Sequence, residues 1–243
     1  MPRVTVTIIA LNEAERLPAA LASVTWADEV VVLDSGSTDA TPDLARAARA
    51  VVANEPWQGF GPHKNRAAAI ARNDWIFNLD ADERVDPALA AAIAALGDTP
   101  KNSAYTVRRR NYVGGRSLKH WPWGWDLQVR LYDRRCARFS PVKVHESVQS
   151  DGPVGHLDGI LDHLTYRDWD DCARRHDRYA ATWAETARAA GKRAAAWKPP
   201  IAAIGAFLRE WLARGYILSG LDGWRWSLAS ARYAARKYRL LRA

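Results

Sequence analysis

The sequence predicts an α/β fold: a mixed, mostly parallel sheet flanked by helices, with a helical C-terminal extension. Three observations lead to this prediction. Apolar strand patterns alternate with helical patterns between residues 4 and 96, short strand patterns follow from about Tyr105, and helical patterns dominate from Trp169 to the end of the 243 residues. Alternating apolar strands and helices are typical of parallel sheets that helices cover on both faces.

The elements of the alternating region can be assigned in order. Apolar runs predict strands at 4–10, 29–34, from Val51 and at 75–79. Helical periodicity predicts helices at 14–24, from Thr41 with Pro42 in its first turn, at 62–72 and at 87–96. The segments at 105–108, 127–132 and 142–148 predict an antiparallel extension of the sheet. Proline and glycine break the final helices at 198–200 and 220–223.

The charge distribution separates the C-terminal region from the rest of the chain. Of the formal net charge of +8, residues 188–243 contribute twelve basic residues against only Glu210 and Asp222. A near-neutral body with a basic tail favours a localised anionic partner, and we expect no nucleic-acid partner. We therefore predict a catalytic domain over residues 1–166 and a helical, basic, amphipathic extension over residues 167–243.

Cysteine content and apolar runs bear on the cellular compartment. Cys136 and Cys172 form no CxxC pair, so neither a disulfide framework nor a zinc site is indicated. The N-terminus leads directly into a strand pattern without the apolar run of a signal peptide. The apolar run at 201–208 is far shorter than the roughly 20 residues that span a bilayer. These features predict a cytoplasmic protein.

Acidic and polar residues follow the predicted parallel strands, where ligands of such sheets bind. Asn12 and Glu13 follow the first strand, Asp34 ends the second, and Asp80 and Asp82 follow the fourth. In an extended segment the side chains of Asp80 and Asp82 point to the same side. Two such carboxylates can hold Mg²⁺ or Mn²⁺ against a diphosphate, although a solvated acidic pair is the simpler alternative.

Other nucleotide enzymes fit the first strand turn poorly. The sequence after that strand contains no G-x-G-x-x-G, which argues against a dinucleotide oxidoreductase and a P-loop enzyme. It also lacks the glycine-rich basic loop expected of a nucleotidyltransferase. In the loop after the second strand, Thr38 or Thr41 as a helix N-cap is an alternative to ligand binding.

Three segments in this order, at 8–13 (IIALNE), 31–39 (VVLDSGSTD) and 79–83 (LDADE), resemble the nucleotide-sugar segments of the inverting family two glycosyltransferases with the GT-A fold. This resemblance implies a UDP-sugar donor and a divalent metal. It implies that Asp80 contacts the ribose or the metal and that Asp82 binds the metal. The residues that it implies for the nucleoside are Ala10, Asn12, Glu13 and Asp34.

Two further residues are donor-site candidates. Lys64 lies in a segment that resembles the start of the family's third helix, where a cation and helix amides favour the same anion; a solvated lysine is the alternative. His163 follows the predicted sheet and is a candidate for the metal shell or the phosphates. A purely structural histidine is the alternative there.

An inverting transfer needs a base that accepts the proton of the acceptor hydroxyl. The segment at 144–146 resembles a Val-His-Glu segment of small bacterial family members, which implies Glu146 as the catalytic base. The alternative is that Glu146 only pairs with an arginine such as Arg130 or Arg138. Asp126 is the reserve candidate.

The C-terminal helices combine apolar and basic faces, which suits the surface of an anionic membrane as well as ordinary packing. This ending resembles that of bacterial lipopolysaccharide-core β-1,4-glucosyltransferases. The resemblance implies transfer of a hexose, in particular glucose from UDP-glucose, to a lipid-linked glycan acceptor by an enzyme peripheral on the inner membrane. A polyprenyl-phosphate sugar synthase and a non-enzymatic membrane-surface binding protein are the alternatives.

Overall fold

A computed structural model of the protein describes residues 2–117, 124–140 and 147–242. The chain divides into two compact units. The first unit contains Met1–Arg109 and Leu127–His163, and the second contains Arg110–Asp126 and Leu164–Ala243. The domain boundary after residue 166 stays a prediction.

The first unit is built from strands and four short helices; β6, β8 and β11 have residues in both units, and β7 lies in the second unit. The strands are β1 Val4–Ala10, β2 Glu29–Asp34, β3 Val51–Asn54, β4 Trp75–Asp80, β5 Glu83–Val85, β6 Ala104–Val113, β7 Arg116–Ser117, β8 Trp125–Asp133, β9 Ala137–Phe139, β10 Val148–Ser150 and β11 Val154–Tyr166. The helices of the first unit are α1 Leu17–Ala22, α2 Thr41–Ala47, α3 Phe60–Ile70 and α4 Pro87–Ala94.

The principal sheet has the strand order β3-β2-β1-β4-β8-β6-β11-β5, with β7 paired to β6. Strands β3, β2, β1 and β4 are parallel, whereas β8 pairs with β4 in the antiparallel direction. Every residue of β1 is buried, as expected for a strand between two parallel neighbours with helices on its faces. The predicted α/β class and the antiparallel extension are confirmed.

Several predicted boundaries were wrong. Helix α1 covers only Leu17–Ala22 instead of 14–24, because the residues before it form a turn in which the backbone N–H groups of Arg16 and Leu17 donate to the Glu13 carbonyl. Helix α3 begins at Phe60, two residues before the predicted start. Strands β5, β7, β9 and β11 were not predicted. Most of the predicted strand at 142–148 lies outside the described residues.

Gly159 on β11 lies where the strand passes very close to helix α4. Its backbone has a φ of +109°, and a Cβ built there would lie 2.3 Å from the backbone nitrogen of Leu89. A side chain at this position would therefore overlap the backbone of Leu89. A residue other than glycine would also be strained at this φ. This contact fixes the distance between β11 and α4.

Gly159→Ala is expected to lower the free energy of unfolding by more than about 2 kcal/mol, because steric overlap adds to backbone strain. Urea denaturation would measure the change. Gly97→Ala is the matched control: its φ is +71°, but a Cβ there has no neighbour within 4 Å. This control should lower the free energy of unfolding by about 1 kcal/mol. Equal losses in the two variants would contradict the proposed close approach.

The second unit is mainly helical. It contains α5 Trp169–Ala189, α6 Lys198–Leu208, a π-helical turn at Arg209–Ala213, a 3-10 turn at Tyr216–Ser219 and α7 Gly220–Arg242. Its core contains Val113, Tyr166, Cys172, Tyr216 and Trp226. No helix within the described residues is both long enough and apolar enough to span a membrane.

The apolar face that the sequence predicts for α6 is only partly covered. The rings of Phe207 and Trp211 contact Trp224 of α7, with centroids 5.0 and 5.4 Å apart. On the same stretch Ile204 and Leu208 keep 60% and 47% of their surface exposed. Ordinary packing thus accounts for the aromatic residues and leaves the aliphatic residues at the surface.

Candidate active site at the strand ends

The sheet register brings the predicted donor-site residues to one edge. Strand β1 lies between β2 and β4, with Ala10 opposite Asp34 and Ile9 opposite Asp80. Because these three strands are parallel, the loops that follow them leave the sheet at the same edge. The sequence places Asn12, Glu13 and Asp82 in or next to these loops.

The loops after β1 and β2 hold each other through side chains. Asn12 has a positive φ of 55°, and its side-chain oxygen accepts a hydrogen bond of 2.8 Å from the backbone N–H of Thr38. In return, the Ser37 hydroxyl accepts 2.8 Å from the backbone N–H of Asn12. The Thr41 hydroxyl likewise accepts 2.8 Å from the backbone N–H of Glu13. Asn12 and Glu13 therefore hold the two loops together.

Asp34 is fully buried and accepts hydrogen bonds from the loop that follows it. Its Oδ2 accepts hydrogen bonds from the backbone N–H groups of Gly36 and Ser37, at 3.0 and 2.8 Å, and from the Asn54 amide at 3.2 Å. Helix α2 has no side-chain capping bond at its N-cap, Ala40, so the capping alternative for Thr38 and Thr41 was wrong. The contact of Asp34 with a nucleoside stays a prediction.

Asp80 lies between two buried cations. Its Oδ1 is 3.1 Å from the Lys64 ammonium, and its Oδ2 is 2.9 Å from Nη2 of Arg130. Burial raises the pKa of Asp80, but the charges of Lys64 and Arg130 outweigh this and hold the pKa well below its ordinary value. Asp80 is thus an ionised carboxylate with a cation on each oxygen.

Arg130 connects Asp80 to a second buried carboxylate. The guanidinium also donates 2.9 Å to the Asn78 side-chain oxygen and pairs with Glu83, which is fully buried. The other oxygen of Glu83 accepts a 3.0 Å hydrogen bond from the backbone N–H of Asp80. Burial, reinforced by the negative charge of Asp80, raises the pKa of Glu83 against the attraction of Arg130. Arg130 therefore fixes both carboxylates relative to the sheet.

Asp82 is next to the predicted metal candidate His163. Its Oδ2 lies 3.5 Å from Nε2 of His163, which is on β11 opposite Glu83. Arg16 lies 3.6 Å from the same oxygen and 3.9 Å from Glu13. The turn after β1 and the segment after β4 thus meet at Arg16.

The donor set near Asp82 fits a metal that a diphosphate shares. Nowhere in residues 2–117, 124–140 and 147–242 are three or more His, Cys, Asp or Glu residues grouped to hold a metal ion. Mg²⁺ commonly takes one or two protein carboxylates and completes its shell with phosphate and water. Asp82 and His163 can supply such a partial shell. Asp80 already has a cation on each oxygen, so Asp82 is the better placed ligand.

A cavity of about 220 Å³ lies beside this network, and three of its four charged lining residues are basic. The volume suits one phosphate or one sugar ring better than a whole nucleotide-sugar. Its lining includes Lys64, Asp80, Arg109, Gln128, Arg130, Phe139 and Ser147. Arg109 also lies 3.6 Å from Glu83.

Lys64 differs from both of its predicted descriptions. It lies in the second turn of α3, since the helix begins at Phe60, and only 4% of its side chain is exposed. The ammonium is 5.1 Å from the centre of the Phe139 ring. The prediction that Lys64 lies at the helix N-terminus and the alternative that it is solvated are both wrong. The buried contact with Asp80 replaces them.

The two candidate bases are Glu146 and Asp126. Glu146 lies outside the described residues, although Ser147, the next residue, lines the cavity. Asp126 is at the start of β8 and belongs to the second unit. The alternative pairing of Glu146 with an arginine such as Arg130 or Arg138 stays a prediction.

Sequence reasoning missed how three residues organise the site: Arg130 entered only as a possible partner of Glu146, and Glu83 only as part of the segment at 79–83. Arg130, Glu83 and Arg16 hold or approach the strand-end carboxylates. Arg130 gave no clear signal, because it follows Asp126 and Gln128 on the polar side of an alternating strand, where an exposed side chain is the ordinary expectation. Arg16 gave no signal beyond its position after the first strand.

Residues 5–150 match Glycosyl transferase family 2. The chain is 31% identical over 239 residues to the lipopolysaccharide core biosynthesis glycosyltransferase LpsC of Rhizobium meliloti, covering 93% of this chain and 87% of that protein. It is 27% identical over 236 residues to an uncharacterized glycosyltransferase of Rickettsia prowazekii, covering 92% of this chain and 81% of that protein.

Among solved structures, the chain is similar to glucosyl-3-phosphoglycerate synthase from Mycobacterium tuberculosis in complex with Mn²⁺, UDP and glucosyl-3-phosphoglycerate. The TM-score is 0.41 at 22% identity, with 55% of this chain and 57% of the other covered. This chain therefore spans less than two thirds of that structure. The family match and the long relatives decide the assignment: the protein belongs to glycosyl transferase family 2 and is a glycosyltransferase, not a non-enzymatic binding protein.

Proposed function

We propose that this enzyme transfers a hexose, in particular glucose from UDP-glucose, with inversion onto a lipopolysaccharide-core or other lipid-linked glycan acceptor at the cytoplasmic face of the inner membrane. The observation that carries the proposal is the strand-end cluster, in which Lys64 and Arg130 hold Asp80 while Asp82 lies next to His163. The similarity to a lipopolysaccharide core biosynthesis enzyme over most of the chain supports the acceptor class.

The donor is held at the carboxyl ends of β1, β2 and β4. Ala10, Asn12, Glu13 and Asp34 form the nucleoside end, where side-chain and backbone hydrogen bonds join the two loops. The cationic cavity lined by Lys64 and Arg130 accepts the phosphate or sugar part. Positive charge in this cavity favours the diphosphate of the donor, because negative charge develops on the diphosphate as it leaves.

Asp82, assisted by His163, would hold Mg²⁺ or Mn²⁺, whose positive charge stabilises the departing UDP. Asp80 contributes through its contacts with Lys64 and Arg130, which fix the segment that leads to Asp82. Arg16 approaches Asp82 and neutralises part of its charge before a ligand binds.

Glu146 is the proposed base that accepts the proton of the acceptor hydroxyl. The hydroxyl then attacks the anomeric carbon from the face opposite the leaving nucleotide. Support comes from the Val-His-Glu segment and from Ser147, which lines the cavity directly after Glu146 in the chain. Asp126 is the second candidate.

A donor screen tests the proposal. The full chain is incubated with UDP, GDP and dTDP sugars and a lipopolysaccharide-core acceptor, and nucleotide release is measured with Mg²⁺, with Mn²⁺ and with excess chelator. We expect release from UDP-glucose only when metal and acceptor are both present. Equal release in chelator would contradict the metal dependence. In a parallel reaction with polyprenyl phosphate as the acceptor, a product that is extracted with the polyprenyl lipid would identify a polyprenyl-phosphate sugar synthase instead.

A further inference from the structure

The second unit contains a cavity of its own, and none of the strand-end residues described above lines it. It has a volume of about 520 Å³ and is lined by residues of α5, α6 and α7 and by Arg209 and Tyr166. The lining contains Lys198, Lys237 and Arg209 and no aspartate or glutamate. A cavity of this composition favours an anion.

The two lysines of this cavity have aromatic neighbours instead of carboxylates. The Lys198 ammonium lies 5.4 Å from the centre of the Tyr238 ring, and the Lys237 ammonium lies 4.1 Å from the Trp183 ring. Within the part of the chain that the structure describes, neither lysine forms a salt bridge. Arg209 differs, since it pairs with Glu210 at 3.0 Å. The lysines thus provide positive charge that no acidic side chain there neutralises.

The electrostatics of Lys237 agree with this description. Burial, and then the positive charge of Arg209, lower the pKa of Lys237 below its ordinary value. A bound anion would relieve both effects, because it would pair with the ammonium and offset the neighbouring guanidinium.

The edge of the cavity is aliphatic and exposed. Ile201 lines the cavity and keeps 56% of its surface exposed. Ile204 and Leu208 follow at helical spacing on α6 and are also exposed. Exposed aliphatic side chains next to unneutralised lysines match the two parts of an anionic lipid, whereas a soluble phosphate compound would use only the lysines.

We propose that this cavity binds the phosphate headgroup of an anionic membrane lipid, with Lys198 and Lys237 on the phosphate and Ile201, Ile204 and Leu208 in the membrane interface. The proposal deepens the membrane part of the proposed function and rests on it. It requires nothing of the donor site.

Vesicle binding of the full chain tests the site. Sedimentation with vesicles of equimolar phosphatidylcholine and phosphatidylglycerol is compared for the wild type, for Lys198→Gln/Lys237→Gln and for Lys192→Gln/Arg193→Gln. The last variant is the matched control, because it removes two charges from the exposed turn after α5, outside the cavity. We expect the cavity variant to bind more than about tenfold more weakly and the control to lose less than about threefold. Equal losses would show diffuse surface attraction and overturn the site.

Two further arms identify the ligand. Vesicles of phosphatidylcholine with oleate carry negative charge on carboxylates, and we expect them to bind the wild type more weakly than the phosphatidylglycerol vesicles at equal charge. Reductive methylation, read by mass spectrometry, should show Lys198 and Lys237 protected by phosphatidylglycerol vesicles and not by inorganic phosphate. Protection by inorganic phosphate alone would overturn the lipid assignment.

The outcomes also separate this proposal from the proposed function. If the wild type binds none of the vesicles, the proposed membrane location and the lipid site are both overturned. Nucleotide release in the donor screen then still tests the catalytic part of the proposed function. If the wild type binds phosphatidylglycerol vesicles and the cavity variant binds them equally well, only the lipid site is overturned. Thermal unfolding of both variants would show that each is folded.

Discussion

Arg130→Met is expected to lower the free energy of unfolding by about 3 kcal/mol or more. The Arg130 side chain is 4% exposed, and its guanidinium binds Asn78, Asp80 and Glu83 at once. Its removal leaves Glu83 buried without its principal partner and Asp80 with Lys64 alone on its side-chain oxygens. The desolvation cost of the two carboxylates then opposes folding. Urea denaturation followed by circular dichroism would measure the loss.

Arg135→Met is the control for the Arg130 prediction. Arg135 also pairs with an aspartate, Asp133, but its side chain is 64% exposed, so water screens the pair. We expect its denaturation midpoint to stay close to that of the wild type. Arg130→Lys should be intermediate, because a lysine keeps the charge and cannot reach all three partners. A stable Arg130→Met protein would refute the structural role of this arginine.

Much of the parallel half of the sheet was predictable from sequence. Strands β1 and β2 have the predicted bounds, because buried parallel strands form uninterrupted apolar runs with clear ends. The strand β11 was not predictable from propensity, since it contains Gly155, Gly159 and Asp158. Gly159 is there because β11 passes against Leu89, a contact between distant parts of the chain that no local pattern encodes.

The acidic residues of the candidate site were predictable from the sequence, whereas the basic residues that pair with them were not. Strand-end position was enough to identify Asp34, Asp80 and Asp82, because the carboxyl ends of parallel strands meet at one edge. Which cation faces which acid depends on how β8 and α3 pack against β4. Arg130 and Lys64 reach Asp80 from those two elements. Their pairing is a property of the tertiary fold.

The two cations on Asp80 separate the roles of the two aspartates. A carboxylate whose oxygens already face Lys64 and Arg130 gains little from a metal and would have to lose one of these partners to bind it directly. Asp82 differs: among the described residues its charged neighbours are His163 and Arg16, at 3.5 and 3.6 Å, both beyond ordinary hydrogen-bond distance. The response to metal should therefore depend on Asp82 more than on any other residue of the cluster.

Asp82→Asn is expected to reduce transfer by about a hundredfold or more and to remove the dependence of donor binding on metal, because an amide is a much weaker ligand for a divalent cation. Calorimetric titration of UDP with and without Mn²⁺ would measure the second effect. Asp158→Asn, which changes an exposed aspartate on the strand that holds His163, should leave both properties unchanged. Glu146→Gln should lose transfer but keep the metal-dependent binding of UDP, since a base acts on the acceptor. If Asp82→Asn keeps the Mn²⁺ response, the metal is held elsewhere; if Glu146→Gln keeps ordinary turnover, Asp126 is the next base to test.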